Sequence, residues 1–480
     1  MEEPDFQKMK PSILRPLSTP VLLVLGATGA GKSKLALELA QKFHGEIISA
    51  DAMQMYKGLD IITNKVTAEE RNLVKHHMID FLDPLSKWTI IDFRNAALPI
   101  INDLRSRSVM PIICGGTNYY IESLIWKILI ENESKSTEVP IPIKILKSDD
   151  FSEEKLSKSQ EFSNKASEAE LSDNECDTDT YSYSNLELYE KLRNIDPERA
   201  NDLHSNERRK VIRSLEVYRK HKRTHSELLK EQKSETGGGI LGGPLRFDKN
   251  ELIVLWVQCD QSILDQRCDN RVDKMIKMGM LDELREFHKS FNENRVSIHE
   301  KTDYTNGIFQ SIGFKEFHEY LTCDKSENEE TKNELYMKGV EQLKLITRQY
   351  ARKQIKWMRQ RFLHSKRSCP PVYKLDSTRY PEYWDTDVLN PAIQIVESLL
   401  HGIRPEYSPI QCNVNYSHED TRKMFHCGIC KLDLKGKIQY EAHIKSKRHR
   451  GLVKKLKKTS QLIDIHKKNL ESKYQETRVD

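Results

Sequence analysis

The chain has 480 residues, 37% hydrophobic and 31% charged, with a net charge of +5. That length allows two to four domains and an enzyme-sized core, while the modest apolar share implies that part of the chain is not packed. No apolar run approaches the roughly 18 residues that a spanning helix needs, which excludes a membrane-embedded protein.

Residues 1–20 read as a flexible N-terminal segment. Glu2, Glu3 and Asp5 spoil an organellar presequence, but from Met9 the segment is basic and acid-free. VLLVLG at 21–26 is a buried strand, followed by a glycine-rich turn and the helical pattern Leu35, Leu37, Leu39, Ala40. Three more strands are expected at 45–51, 109–116 and 251–258 with helical stretches between them, so the fold class is α/β with a mostly parallel sheet. The catalytic core is then expected in two parts, 21–130 and 246–365. Between them, 131–180 is an acidic segment with the composition of disorder. Its stretch 148–180 alone holds eleven acids and three lysines, leaving the remainder of the chain strongly basic and suited to a polyanion. Residues 181–245 carry helical periodicity with a basic run and form a helical insertion domain. A helix over 261–289 and a long basic helix from about 334 to 362 follow. Residues 366–420 are weakly patterned and read as a linker, 421–450 as a small ββα-like metal-binding unit, and 451–480 as a basic tail.

The turn Gly26-Ala27-Thr28-Gly29-Ala30-Gly31-Lys32-Ser33 fits a phosphate loop and stands between a strand and a helix, as such a loop requires. Inward backbone N–H groups and a helix N-terminus cradle phosphate, Lys32 supplies a cation, and Ser33 can hold Mg²⁺. Nucleotide hydrolysis on this fold usually needs a second strand ending in an aspartate. The third strand ends instead in Cys114-Gly115-Gly116-Thr117, and Asp260 reads as a helix N-cap. The remaining strand-end acid is Asp51, at the sheet edge where ligands bind, and it can serve as metal ligand or general base.

GATGAGKS, SADAMQMYKGLDIITNK, the pair His76-His77, PIICGGTNYYIESL, RRKVIRSLEVY and QSIGFKE, in this order, resemble the tRNA dimethylallyltransferases, also called tRNA isopentenyltransferases. The resemblance spans about 21–361, and a C-terminal zinc finger points to the eukaryotic branch. It implies transfer of a dimethylallyl group from dimethylallyl diphosphate to N6 of the adenosine 3′ of the anticodon (position 37), with release of diphosphate. The phosphate loop, residues 26–33, would then hold a diphosphate leaving group, with Mg²⁺ near Ser33. Asp51 matches the family's catalytic aspartate, and Thr28 and Arg271 match residues acting on the diphosphate. The target adenine must leave the stacked anticodon loop to reach such a pocket. Asp51, Ala52, Met53 and Gln54 would read its edge. Thr117, Arg209, Arg213, Gln310, Gly313 and Lys315 match tRNA-contacting segments. Arg348 and Arg352, with Lys356 and Arg359, form a basic helical stripe expected on the tRNA anticodon arm. Two rival readings use the same motifs: a P-loop kinase, and a non-catalytic RNA-binding zinc-finger protein.

Nine scattered cysteines argue for a reducing compartment, and only Cys427 and Cys430 are closely paired. With His443 and His449 they give the two-cysteine, two-histidine spacing of a structural Zn²⁺ site, with Phe425, Leu434 and Tyr440 as its core. From 421 to 459 there are thirteen Lys and Arg against Asp433 and Glu441, a phosphate-gripping charge that can also act as a nuclear address. The expected protein is a monomer in the cytoplasm, with mitochondrial and nuclear pools as further addresses.

Overall fold

The computed structural model describes residues 19–128, 183–239, 241–291, 304, 307–323, 328–364, 367–411 and 424–456. The segments expected to be flexible or acidic at the N-terminus and at 131–180, and most of the basic tail, lie outside the described residues.

Described residues within Met1–Ile141 and Gln232–Val414 form one unit. Its centre is a parallel sheet of β1 (Val21–Gly26), β2 (Gly45–Ser49), β3 (His76–His77), β4 (Met110–Cys114), β5 (Leu252–Gln258) and β6 (Val372–Asp376), in the order β3-β2-β4-β1-β5-β6. β1 is central and buried along its whole length, which is why it reads as an unbroken aliphatic run. The four expected strands are present, and the sheet has two more. β3 is only two residues long, below any periodicity signal. His77 Nε2 there lies 2.5 Å from Glu46 Oε2, so His77 ties β3 to β2 at the sheet edge.

β6 corrects the linker reading of 366–420. Val372, Tyr373 and Leu375 are buried while Lys374 and Asp376 are exposed, as suits a strand paired on one side to β5. The chain then turns through a π-helical segment, Asp385–Leu389, into a helix at Asn390–Leu400. Trp384, Val388, Ala392, Ile395 and Val396 from this stretch enter the same apolar cluster as β1 and β5. Five strand residues flanked by prolines and charges are too few to outweigh a polar surrounding in a sequence reading.

Helices α1 (Lys32–Lys42), α2 (Ala68–Leu73), α3 (Ile90–Ser106) and α4 (Asn118–Ile125) surround the first half of the sheet. Capping boxes at Thr67/Glu70 and Thr89/Asp92 begin α2 and α3, satisfying N–H groups that the helix itself leaves unpaired. Four helices, α5 (Asn185–Ile195), α6 (Pro197–Asp202), α7 (Arg208–His221) and α8 (His225–Ser234), come from the insertion. α5, α6 and α7 close over a small core of their own, Leu188, Leu192, Ala200, Leu203 and Val211. The expected helix over 261–289 is two helices, α9 (Gln261–Lys277) and α10 (Met280–Phe291), broken at Gly279 with φ +95°. The long basic helix, α11, runs Glu329–Phe362.

The second unit comprises the described parts of Pro142–Glu231 and Asn415–Asp480. Its C-terminal part is the expected ββα module, an antiparallel pair Met424–Cys427 and Leu432–Lys435 followed by the helix Lys437–Ile444. Among the described residues no helix is long and apolar enough to cross a membrane.

Candidate active site and zinc module

A cavity of about 400 Å³ opens at the C-terminal ends of β1, β2 and β4. The phosphate loop forms one wall. Gly31 precedes α1 with φ +99°, a backbone region that favours glycine, and a Cβ there would come within 2.8 Å of the Trp384 ring. The loop therefore keeps its shape partly because the segment after β6 is pressed against its back. Ala27 and Ala30 are buried; the Ala27 carbonyl accepts from Lys32 Nζ at 2.9 Å, and the Ala30 carbonyl accepts from Ser377 Oγ at 2.9 Å. Gly26 and Gly29 share the positive φ of the turn, and Ser33 lines the cavity one residue into α1.

Arg271 reaches in from α9 and donates from Nη1 to Thr28 Oγ1 at 2.9 Å. Burial lowers the pKa of both Lys32 and Arg271, and the Asp51 carboxylate works against that shift. Burial also raises the Asp51 pKa, against the pull of N–H groups from Met53 and Gly116 and of the two cations. The result is two cations and one carboxylate in one cavity, a net positive balance that favours an anionic ligand. Cys114 and Cys268 stand close by, but burial pushes each thiol up to about 11, so neither offers a thiolate near neutral pH.

The opposite wall is built from the segment after β2. Asp51 Oδ1 accepts from Met53 N–H at 3.0 Å, and Thr117 Oγ1 accepts from Ala52 N–H at 2.9 Å, tying the turns after β2 and β4 together. Gln54 Oε1 accepts from Ser49 Oγ at 2.9 Å, and its Nε2 donates to the carbonyls of Thr63 and Asn64, so its amide is held in one orientation. Farther along, Lys65 turns back and donates to the carbonyls of Tyr56 and Gly58 at 2.8 and 2.7 Å, and pairs with Asp60 and Asp80. Glu283 of α10 accepts the N–H groups of Ile61 and Ile62 at 2.8 and 3.0 Å. Sequence reasoning missed Glu283 because its partners are main-chain atoms more than 200 residues away.

Of the expected tRNA residues, Asp51, Ala52, Met53, Gln54, Thr117 and Gln310 line this cavity. Gly313 adopts φ +127° with Ile62 packed against it, and Lys315 is exposed. Arg209 and Arg213 lie on the exposed side of α7, in the other unit.

Part of the basic stripe on α11 is paired with acids of α9. Lys344, Arg348 and Arg352 recur every four residues and meet Asp273, Asp269 and Asp265 of α9, which recur at the same interval in the opposite direction. Arg348 and Arg352 thus belong to an interhelical ion-pair ladder, with Arg352 still exposed, as are Lys356 and Arg359 farther along the helix. The complementary acids sit some 80 residues earlier, where charge counting along one helix cannot see them.

In the C-terminal module the ligand atoms of Cys427, Cys430, His443 and His449 all lie within 4.8 Å of one another. His443 Nε2 is buried without a hydrogen-bond partner, an atom that a metal ion would satisfy. Two thiolates and two imidazoles are the donor set of a tetrahedral structural Zn²⁺ site. Phe425 and Tyr440 stack beside it with ring centroids 5.2 Å apart.

The chain matches the IPP transferase family over residues 54–361 and a zinc-finger family of C2H2 type over 425–449. It is 44% identical over 441 residues to a human tRNA dimethylallyltransferase, covering 91% of this chain and 86% of the relative. To the tRNA dimethylallyltransferase of Saccharomyces cerevisiae it is 30% identical over 472 residues, 95% and 96% of the two chains. A crystal structure of a eukaryotic dimethylallyltransferase acting on tRNA superposes with a TM-score of 0.70 at 28% identity, covering 93% of this chain and 99% of that one. With a phosphate loop facing a carboxylate across one cavity and matches over most of its length, the chain belongs to the IPP transferase family, the tRNA dimethylallyltransferases.

Proposed function

We propose that the protein moves the dimethylallyl group of dimethylallyl diphosphate onto N6 of the adenosine 3′ of the anticodon and releases diphosphate. The observation that carries the reading is the placement of Asp51 across a single cavity from Lys32, Thr28 and Arg271. In the forward step the N6 lone pair attacks the allylic carbon while the carbon–oxygen bond to diphosphate breaks. Negative charge grows on the bridging oxygen, where Lys32, Arg271 and the loop N–H groups receive it. An exocyclic amine is a weak nucleophile, and its proton passes to the Asp51 carboxylate as the new C–N bond forms. The burial that raises the Asp51 pKa makes it a stronger base than an exposed aspartate.

Mg²⁺ takes hard oxygen ligands, and the Ser33 hydroxyl at the cavity wall is the group that would hold it. When bound, the ion would neutralise charge on the diphosphate. The adenine is flipped from its stack to enter, and Gln54, whose amide N–H groups are held by the Thr63 and Asn64 carbonyls, turns the remaining acceptor capacity of Oε1 toward its edge. Arg209, Arg213, Lys315, the α11 arginines Arg348 and Arg352, and the basic C-terminal region are the phosphate contacts in this reading. The protein acts as a monomer, in the cytoplasm and with mitochondrial and nuclear pools.

Mass analysis of tRNA after incubation with the protein and dimethylallyl diphosphate tests the proposal. A gain of one C5H8 unit on an anticodon-loop adenosine is the expected outcome. Transfer of the γ-phosphate of ATP would point to a kinase, and an unchanged tRNA that still binds would point to a non-catalytic binding protein.

A further inference from the structure

Gln354 lies on α11, is 3% exposed, and carries no charge in a helix otherwise marked by its cations. Its side-chain amide bridges the two walls of the cavity. Oε1 accepts the N–H of Thr28 in the phosphate loop at 2.8 Å, and Nε2 donates to the carbonyl of Gly116 in the turn after β4 at 2.8 Å. Tyr350, one helical turn earlier, donates from its hydroxyl to the same Gly116 carbonyl at 2.9 Å. The register of the helix is pinned as well, because Asn118 Nδ2 donates to the main-chain carbonyl of Gln354 at 3.2 Å.

Each end of this bridge continues to a reacting group. Thr28 receives Arg271 on its hydroxyl, on the side where diphosphate would leave. On the other side the Gly116 N–H helps hold the Asp51 carboxylate, and Thr117 fixes Ala52 next to it. A glutamine is suited to this place because one planar amide supplies an acceptor to the first wall and a donor to the second. Neither glutamate, which lacks the donor when ionised, nor an apolar residue of the same length does both.

We propose that Gln354 is a positioning residue that sets the distance between the base side and the leaving-group side of the cavity, and so governs turnover through Thr28 and Gly116. The inference rests on the roles given above to Asp51, Thr28 and Arg271. It assigns to α11 a function in alignment of the reaction.

Gln354→Met keeps the shape and removes both hydrogen bonds. Single-turnover rates at saturating tRNA and donor are expected to fall roughly ten- to hundredfold, with the donor KM and the tRNA Kd changed by less than about threefold. Gln354→Glu adds a readout that packing alone would not move. At low pH the protonated carboxyl can donate to Gly116 and accept from Thr28, whereas the carboxylate faces the Gly116 carbonyl with no proton to give. Its rate relative to wild type should therefore rise as pH falls. If Gln354→Met does not fold, judged by thermal melting, the pH dependence of the Gln354→Glu ratio carries the test by itself. Wild-type turnover in Gln354→Met, a loss confined to tRNA affinity, or a flat Gln354→Glu ratio would each overturn the proposal. Asp51→Asn measured alongside separates the two levels: near-normal turnover there defeats the reading of the site itself, while an inactive Asp51→Asn beside a fully active Gln354→Met defeats only the role of Gln354.

Discussion

Replacing Asp51 with asparagine changes little in size, so its effect can be worked out from the atoms around the carboxylate. One oxygen accepts the Met53 N–H at 3.0 Å, a bond that the asparagine oxygen can keep. The carboxylate also takes the Gly116 N–H, and there the new NH₂ group meets a donor, at a cost of about 1 kcal/mol. Loss of a general base typically costs 10²–10⁴ in rate, about 2.7–5.4 kcal/mol at ~1.36 kcal/mol per tenfold, so the missing base outweighs the local misfit. Turnover should fall at least ~100-fold, with tRNA affinity within about threefold of wild type. The pH profile gives a second measure. A base works only when ionised, and burial raises the Asp51 pKa, so the wild-type rate should fall with decreasing pH through a midpoint above the usual carboxylate range. Single-turnover rates of both proteins between pH 5 and pH 9, at saturating substrates, are the assay. Near-normal turnover of Asp51→Asn, or an acid limb unchanged in the variant, would refute the assignment.

Lys32→Ala and Arg271→Ala should each raise the donor KM or lower kcat while leaving tRNA binding intact; because both act on one leaving group, the double variant should lose less than the product of the single losses. Gly313→Ala places a Cβ 2.5 Å from Ile62 Cδ1 at a φ of +127°, so it should lower the thermal midpoint and weaken turnover together, and an unchanged melting curve would count against tight packing of that loop. Removing residues 421–480 should preserve single-turnover rates at saturating tRNA but weaken binding, and if four basic residues meet phosphates, the slope of log K against log salt should flatten by roughly 3 to 4 units. Cys427→Ser should reproduce that binding defect if the folded finger positions the contacts, and leave binding nearly intact if the charge alone suffices.

The parts legible in the sequence are those whose chemistry is local. A phosphate loop needs glycines, a lysine and a serine within eight positions, and a C2H2 site needs four ligands within about 25, so both stand out along the chain. Strands β1, β4 and β5 were readable because burial on both faces makes them continuously apolar. What escaped was what depends on partners far away in the chain. The three acids on α9 pair with Lys344, Arg348 and Arg352 of α11, and Gln354 gains its meaning from Thr28 and Gly116, 326 and 238 residues distant. The strand at Val372–Asp376 and the tryptophan behind Gly31 were missed for the same reason, since their apolar contacts are spread over a mostly polar segment.

The placement of the carboxylate also explains how a phosphate loop can serve alkyl transfer. In a nucleotide hydrolase an acid at the end of a second strand helps hold a metal ion beside the phosphates. Here the strand beside β1, β4, ends in Cys114, whose thiol stays neutral. Among the described residues lining the cavity Asp51 is the only acid, and it comes from one strand farther out, after β2. Gly115 permits this: a Cβ at that position would lie 2.2 Å from the backbone of Ala50, so only glycine lets the turn after β4 close against the turn after β2. The close approach brings Gly116 to the Asp51 carboxylate and leaves the loop side of the cavity to the cations. In the proposed reaction positive charge therefore gathers where diphosphate would depart, and basicity where the amine would lose its proton, an arrangement suited to displacement at a carbon held between them.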